Sequence, residues 1–335
     1  MFAKRIAIDL GTVNTLVYVP RRGIVVNEPS VVALNSDNEE IVAIGAEAED
    51  MLGRTPEALI SNRPLRDGVI ADFRITREML KHYINQAIGR YRLVKPDVMV
   101  TLPAGATSTE KKAVIDAALA AGARAAHVIE ETVAAAIGAG VVITEPYGNM
   151  VIDIGGGTTE IAVISLGGVV AQDSVRVGGN KIDAAISEHL RKAHNLSIGE
   201  HTAQMIKFKI GRAMLDEERH TMEVRGRDII GGLPKTVTIA DTEIIDPIQD
   251  ILQQIVLSIR SVIENTPPEL VSDVIDRGIL LTGGSAHLTD IDSLLTKVIN
   301  VPVLIADEPE LCVIKGAGTA LSSLSEYQKS LLSNS

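Results

Sequence analysis

The sequence predicts an α/β protein made of two related halves that face one anion-binding cleft. Three observations carry this reading. First, Asp153-Ile154-Gly155-Gly156-Gly157-Thr158-Thr159-Glu160 follows the apolar run Met150–Ile152 and precedes Ile161–Ser165, so a carboxylate ends one strand and three glycines turn the chain into the next. Second, the pattern has an echo about 144 residues earlier, Ile8-Asp9-Leu10-Gly11-Thr12-Val13-Asn14-Thr15, followed by the strand Leu16–Val19. Third, strand-like and helix-like stretches alternate along the rest of the chain. A glycine turn presents backbone N–H groups to phosphate oxygens. An aspartate beside it holds a metal ion against the same phosphates, directly or through water.

Composition narrows the class. The 335 residues allow two domains or one large one, and 46% hydrophobic residues supply a sizeable core. Aromatic residues are 2% of the chain with no Trp, so that core rests on Ile, Val, Leu and Ala. A net charge of −11 argues against a general nucleic-acid binder, whose footprint is a basic face. The single Cys312 excludes an intramolecular disulfide framework and reads as a buried apolar residue in a reducing compartment. Residues 1–8 read as strand rather than signal peptide, and the longest apolar stretch, Val133–Ile143, is too short to span a bilayer.

In chain order, Ile6–Asp9, Leu16–Val19 and Gly23–Val26 form a strand meander, broken at Glu28-Pro29-Ser30 and resumed at Val31–Leu34 and Ile41–Gly45. A short helical pattern, 46–59, leads to Arg63-Pro64-Leu65-Arg66-Asp67-Gly68, whose arginines serve either an interface or a solvated loop. Helical spacing places an amphipathic helix over Thr76–Gly89. In Arg90-Tyr91-Arg92-Leu93-Val94-Lys95-Pro96, two apolar residues sit among cations, which fits a helix-to-strand loop or a small membrane-touching knob. After the strand Asp97–Leu102, Thr107 and Glu110 make a capping box for a helix to Ala121. His127–Ile129 is a strand, and Glu130-Glu131-Thr132 opens an Ala-rich helix. Its paired acids favour the helix dipole, orient an attacking water, or take one role each.

The run 144–149, with Pro146 and Gly148, reads as a boundary. Beyond it, Gly178-Gly179-Asn180 is a helix cap or a second anion-facing turn, and Gly199–Met214 is a helix carrying Gln204, Lys207 and Lys209. Strands Thr221–Arg225 and Lys235–Ile239 precede a long helix, Asp241–Glu264, ended by Pro267-Pro268. Gly278–Leu281 and Val301–Ile305 are further strands. Glycine-rich points around Gly11, Gly155, Gly283 and Gly316 all read as strand ends. None carries the Lys-Ser or Lys-Thr of a P-loop, and the first strand lacks the dinucleotide fingerprint. The reading is a nucleotide gripped between two α/β halves without a P-loop.

These motifs resemble the actin, heat-shock chaperone and sugar-kinase superfamily. More closely, Ile8–Thr12, Asn27-Glu28-Pro29-Ser30, Val151–Gly168, Thr266-Pro267-Pro268-Glu269-Leu270 and Lys315-Gly316-Ala317-Gly318 resemble the MreB family of bacterial actins, in order over nearly the whole chain. The resemblance implies an actin-like fold. A first domain would comprise 1–145 plus 315–335 with a small subdomain at about 33–65, and a second 146–314 with a small subdomain at about 182–244. It implies a protein that binds ATP or ADP with Mg2+, polymerises with itself, and hydrolyses ATP slowly. Such filaments lie in the cytoplasm at the inner face of the cell membrane and help guide the cell-wall synthesis machinery, hence cell shape.

Matched to the family position by position, Gly11, Thr12, Val13 and Asn14, and Gly155, Gly156, Gly157 and Thr158, are the phosphate loops. Asp9 and Asp153 would hold hydrated magnesium, the latter through water, and Glu131 would orient the attacking water. Lys207 and Gln204 would lie beside the adenosine and ribose, and Gly283, Gly284 and Ser285 would form the turn beneath. Leu93 and Val94 match the membrane-contacting loop. Relatives usually carry Glu at Gln204, an acid at Lys209 and Gly at Ser285. Competing readings are a small-molecule kinase, whose base aspartate and substrate cleft are not evident, a chaperone-type ATPase, for whose substrate domain 335 residues leave no room, and a nucleotide-binding scaffold without turnover.

Overall fold

A computed structural model describes residues 4–51, 72–89, 94–215 and 219–331, with the backbone of 59–62, 65–66 and 69–70. The first half opens with β1 (Arg5–Leu10), β2 (Asn14–Val19) and β3 (Gly23–Pro29). A small sheet follows, made of β4 (Val32–Asn35), β5 (Ile41–Ile44) and β6 (Leu59–Asn62), with α1 (Ala46–Met51) beside it. The pair β7 (Leu65–Arg66) and β8 (Val69–Ile70) leads to α2 (Phe73–Ile88), β9 (Asp97–Leu102), α3 (Ser108–Ala120), β10 (Ala125–Glu130) and α4 (Glu131–Gly138).

The second half begins with β11 (Asn149–Ile154), β12 (Thr159–Ser165) and β13 (Gly168–Val175). Then come α5 (Gly179–His194), β14 (Leu196–Ser197), α6 (Glu200–Ile210), β15 (Thr221–Asp228) and β16 (Pro234–Ala240). The chain continues through α7 (Thr242–Glu264), α8 (Pro268–Arg277), β17 (Ile279–Thr282), α9 (Ile291–Ile299), β18 (Val303–Ile305) and α10 (Cys312–Ser322).

The two large sheets have one topology. Their strand orders, β10-β9-β1-β2-β3 and β13-β12-β11-β17-β18, both describe an antiparallel three-strand meander with two parallel strands added beside the first. The duplication holds residue by residue: Leu10 pairs with Thr15 as Ile154 pairs with Thr159, and Asp9 faces Leu16 as Asp153 faces Glu160.

Local chemistry sets the helix ends. The Thr107–Glu110 capping box forms as the sequence predicts. Helix α2 starts three residues before the expected Thr76, because Asp72 accepts from the Ile75 N–H at 3.0 Å and caps the turn earlier. Helix α6 stops at Ile210 rather than Met214, where Gly211 turns extended. Helices α8 and α9 are additions to the sequence reading; Pro267-Pro268 ends α7 and also starts α8, with proline in its first turn, where no N–H is needed.

Each large sheet has its own core, with α2 and α3 on the first and α5, α6, α7 and α9 on the second. A third apolar cluster lies between the sheets and is built on α4 and α10. Here the expectation for Gly316 is corrected: it lies inside α10, not at a strand end. A Cβ at Gly316 would meet the Ala134 carbonyl oxygen at 1.8 Å, and one at Gly138 would meet that of Cys312 at 1.8 Å. The glycines let two backbones touch where any side chain would separate them. Cys312 is buried in this cluster, and burial pushes its thiol up to about 11.

This crossing makes a stability prediction. Gly316→Ala gains roughly 1 kcal/mol of helix propensity but is expected to destabilise the fold by about 3 kcal/mol through overpacking. Gly168→Ala, where the nearest atom lies 3.8 Å away, should change stability by less than about 0.5 kcal/mol. Urea denaturation midpoints of the two variants check this.

Candidate functional site

Both glycine hairpins open onto one cleft of about 340 Å³ between the halves. It is lined by Asp9, Gly11, Thr12, Val13 and Asn14 from the first half, and by Asp153, Gly155, Gly156, Gly157 and Thr158 from the second. The loops approach each other closely: a Cβ on Gly156 would fall 2.2 Å from Val13 Cγ2, and one on Gly157 would fall 2.7 Å from Thr12 Oγ1. Glu131 joins the same wall from the first turn of α4. Of the paired acids, Glu131 faces the cleft and Glu130 does not, and no side-chain hydrogen bond from Glu130 caps the helix.

The strand-end aspartates are held in the same way. Thr101 Oγ1 on β9 donates to Asp9 Oδ1 at 2.6 Å, and Thr282 Oγ1 on β17 donates to Asp153 Oδ1 at 2.7 Å. Burial pushes both carboxyls up to about 6, against the lowering effect of those hydroxyls. Burial, then the charges of Asp9, Glu160 and Asp153, hold Glu131 well above the usual carboxylate range. Such oxygen-only, mutually repelling donors fit a hard divalent cation such as Mg2+.

Glu160 is a site residue to which sequence reasoning assigns no role. It is fully buried. Its Oε2 accepts from the Ala104 backbone N–H of the first half at 2.9 Å, and its Oε1 accepts from Ser174 Oγ on β13 at 2.8 Å. One carboxylate thus ties the two halves together directly beneath the cleft. Burial pushes it up to about 7. The available signal is its position, a charge at the apolar slot that Leu16 occupies in the first copy.

The far end of the cleft is formed by α6 and the turn after β17. Gln204, Lys207, Gly283, Gly284 and Ser285 all line it. Lys207 is buried, with Nζ 2.9 Å from Asp183 Oδ1 and 3.3 Å from the Gly179 carbonyl. Burial pulls both partners toward their neutral forms, lowering Lys207 and raising Asp183, while their mutual attraction opposes it. Gly283 has φ +87°, and a Cβ there would meet the Ile154 oxygen at 2.4 Å, so this turn demands glycine. Ser285 Oγ donates to the Gly155 carbonyl at 2.9 Å.

Gly178 and Gly179 resolve as the N-terminus of α5, docked on the backbone of the second glycine loop: the Gly179 N–H donates to the Gly155 carbonyl at 3.0 Å and Asn180 N–H to that of Gly156 at 2.8 Å. Phe208 and His287 also line this end, edge to face at 6.5 Å between ring centroids. An exposed aromatic at a helix end leaves no mark in a periodicity count. Lys209 is exposed and does not line the cleft. Leu93 lies outside the described residues, as do Arg63, Pro64, Asp67 and Gly68; Val94 is half-buried and stands apart from the cleft. Among the described residues no helix is long and apolar enough to cross a membrane.

A duplicated meander sheet, with a strand-end aspartate and a glycine turn from each copy facing one cleft, defines an actin-like fold. The comparisons agree. A family model described as MreB/Mbl protein matches residues 3–329. The cell shape-determining protein Mbl of Bacillus subtilis is 45% identical over 99% of this chain and 100% of its own length. The cell shape-determining protein MreB of Escherichia coli is 46% identical over 99% and 97%. The crystal structure of MreB5 of Spiroplasma citri bound to ADP superposes with a TM-score of 0.91 at 36% identity, covering 98% of both chains. The chain belongs to the MreB/Mbl family.

The raised carboxyls make a pH prediction. Asp9, Asp153 and Glu160 bind protons more tightly folded than unfolded, so the folded state is penalised fully above about 7 and relieved toward pH 5. Burial of His127, which lowers its pKa, opposes this below neutrality. In protein free of nucleotide and divalent ions, stability should rise as pH falls from 7.5 to 5. Glu160→Gln should remove up to about 1.4 kcal/mol per pH unit from that slope. Urea unfolding at stepped pH measures both.

Proposed function

We propose that this chain is an ATP-binding, filament-forming bacterial actin with slow ATPase activity, and that the cleft is its nucleotide site. The observation that carries this reading is the convergence of two glycine loops and three acids, Asp9, Asp153 and Glu131, on one cleft. The solved relative MreB5 is bound to ADP. In this reading the backbone of Gly11–Asn14 and Gly155–Thr158 grips the phosphates, and Gln204, Lys207 and the Gly283–Ser285 turn border the nucleoside. Asp9 and Asp153 hold hydrated Mg2+, which when bound neutralises charge on the phosphate oxygens.

Hydrolysis proceeds by in-line attack of water on the γ-phosphorus, with ADP as leaving group. Glu131 orients that water and accepts its hydrogen bond; a carboxyl held above its ordinary range is the stronger acceptor once ionised. Catalysis is then positioning and electrostatics. The halves meet at the paired loops, at Glu160 and along α4–α10, so contacts with further copies of the chain that close the cleft also align the water. Self-assembly thereby stimulates turnover. The filaments lie at the inner face of the cell membrane, with Leu93 and Val94 as the membrane-touching loop, and guide the cell-wall synthesis machinery.

Two experiments test this. Phosphate release per bound nucleotide should fall at least about 100-fold in Glu131→Ala; equal release would remove the role given to Glu131. Electron microscopy of the purified protein with ATP and anionic lipid vesicles should show filaments on the vesicle surface. Monomers persisting across nucleotides and lipids would sink the filament reading.

A further inference from the structure

Far from the cleft, the C-terminal third of α5 meets the first turn of α7, and three potential ligands converge there. His194 Nε2 lies 2.7 Å from Glu243 Oε2, and His189 Nε2 lies 3.7 Å from the same oxygen. The three donor atoms fall within 4.8 Å of one another. We propose that His189, His194 and Glu243 form a binding site for a divalent transition ion of the zinc class, with a fourth position open to water.

Four features support the assignment. The donor set is two imidazoles and a carboxylate, which suits Zn2+ or Co2+ and disfavours Mg2+. His189 Nε2 is buried without a hydrogen-bond partner, and an ion would satisfy it. The other carboxylate oxygen, Glu243 Oε1, accepts from the Ala240 backbone N–H at 2.9 Å, which fixes the group so that Oε2 faces the histidines. The C-terminal end of α5, where both imidazoles sit, is the end of a helix that favours positive charge.

The spacing requires modest adjustment. Zn–N and Zn–O bonds of about 2.0–2.1 Å place tetrahedral donors roughly 3.4 Å apart. The 3.7 Å separation needs almost no change, while rotation of His194 opens the 2.7 Å one and brings the two imidazole nitrogens, which lie within 4.8 Å of each other, to that spacing. That residue ends α5 immediately before Asn195, which is left-handed, while Lys235 Nζ holds its carbonyl at 2.7 Å. The side chains of His189, His194 and Glu243 are 25%, 23% and 33% exposed, so the open position reaches solvent. A bound ion would cross-link α5 to α7.

The test is titration of untagged, chelator-washed full-length protein with Co2+ in excess Mg2+, which occupies oxygen-only sites such as the cleft acids. The expected result is one Co2+ per chain, the intense visible bands of four-coordinate cobalt, and their loss on adding Zn2+. His189→Gln and Glu243→Gln, checked for folding by circular dichroism, should each weaken binding at least about 100-fold. Absence of Co2+ binding to the wild type, or undiminished binding in both variants, overturns the proposal. Should neither variant fold, X-ray absorption of the wild-type cobalt protein decides: imidazole nitrogens in the shell support the site, and an oxygen-only shell overturns it.

Discussion

Everything around the cleft depends on one electrostatic constraint: Asp9, Glu131, Asp153 and Glu160 are crowded together in a protein interior. Burial raises the proton affinity of all four, and the charges of Asp9, Glu160 and Asp153 raise that of Glu131 further. Hydroxyls from Thr101 and Thr282 and the Ala104 N–H offset only part of this. A site so built is incomplete without positive charge, whether protons or a metal ion. The scaffold must therefore be rigid enough to hold like charges near each other, and the two cores with the α4–α10 layer between them supply that rigidity.

The duplication is legible in the sequence because it is written in residues whose backbone role is strict. An Asp at a strand end and a Gly in the turn recur at the same offset, and the sheets they begin share one topology. The two glycine loops and their aspartates line one cleft, and so do Glu131, Lys207 and the Gly283 turn, which the family resemblance singles out. What the motifs do not disclose depends on tertiary neighbours. Thr101 and Thr282 are ordinary strand residues until parallel pairing sets each beside its aspartate. Glu160 reads as the end of a motif and is in fact a strut between the halves.

The expectation for Gly316 fails for a related reason. A Lys-Gly-Ala-Gly run resembles a turn when only local propensity is weighed. In the fold the same glycines sit in a helix, because the close approach of Gly316 to the α4 backbone and of Gly318 to the Tyr18 ring outweighs their poor helix propensity. Helices α8 and α9 escape a sequence reading because Pro267-Pro268 signals an ending more loudly than a beginning, and because both segments are short.

Helix α5 links regions that lie far apart. Its first residues donate hydrogen bonds to the carbonyls of Gly155 and Gly156, and its C-terminal third carries His189 and His194. With 16 residues at about 1.5 Å each, it is a rod about 24 Å long, so a tilt of roughly 5° at the glycine end moves the other end by about 2 Å. The helix is therefore a mechanical amplifier: a displacement too small to break a hydrogen bond at the loop is large enough to remake side-chain packing against α7.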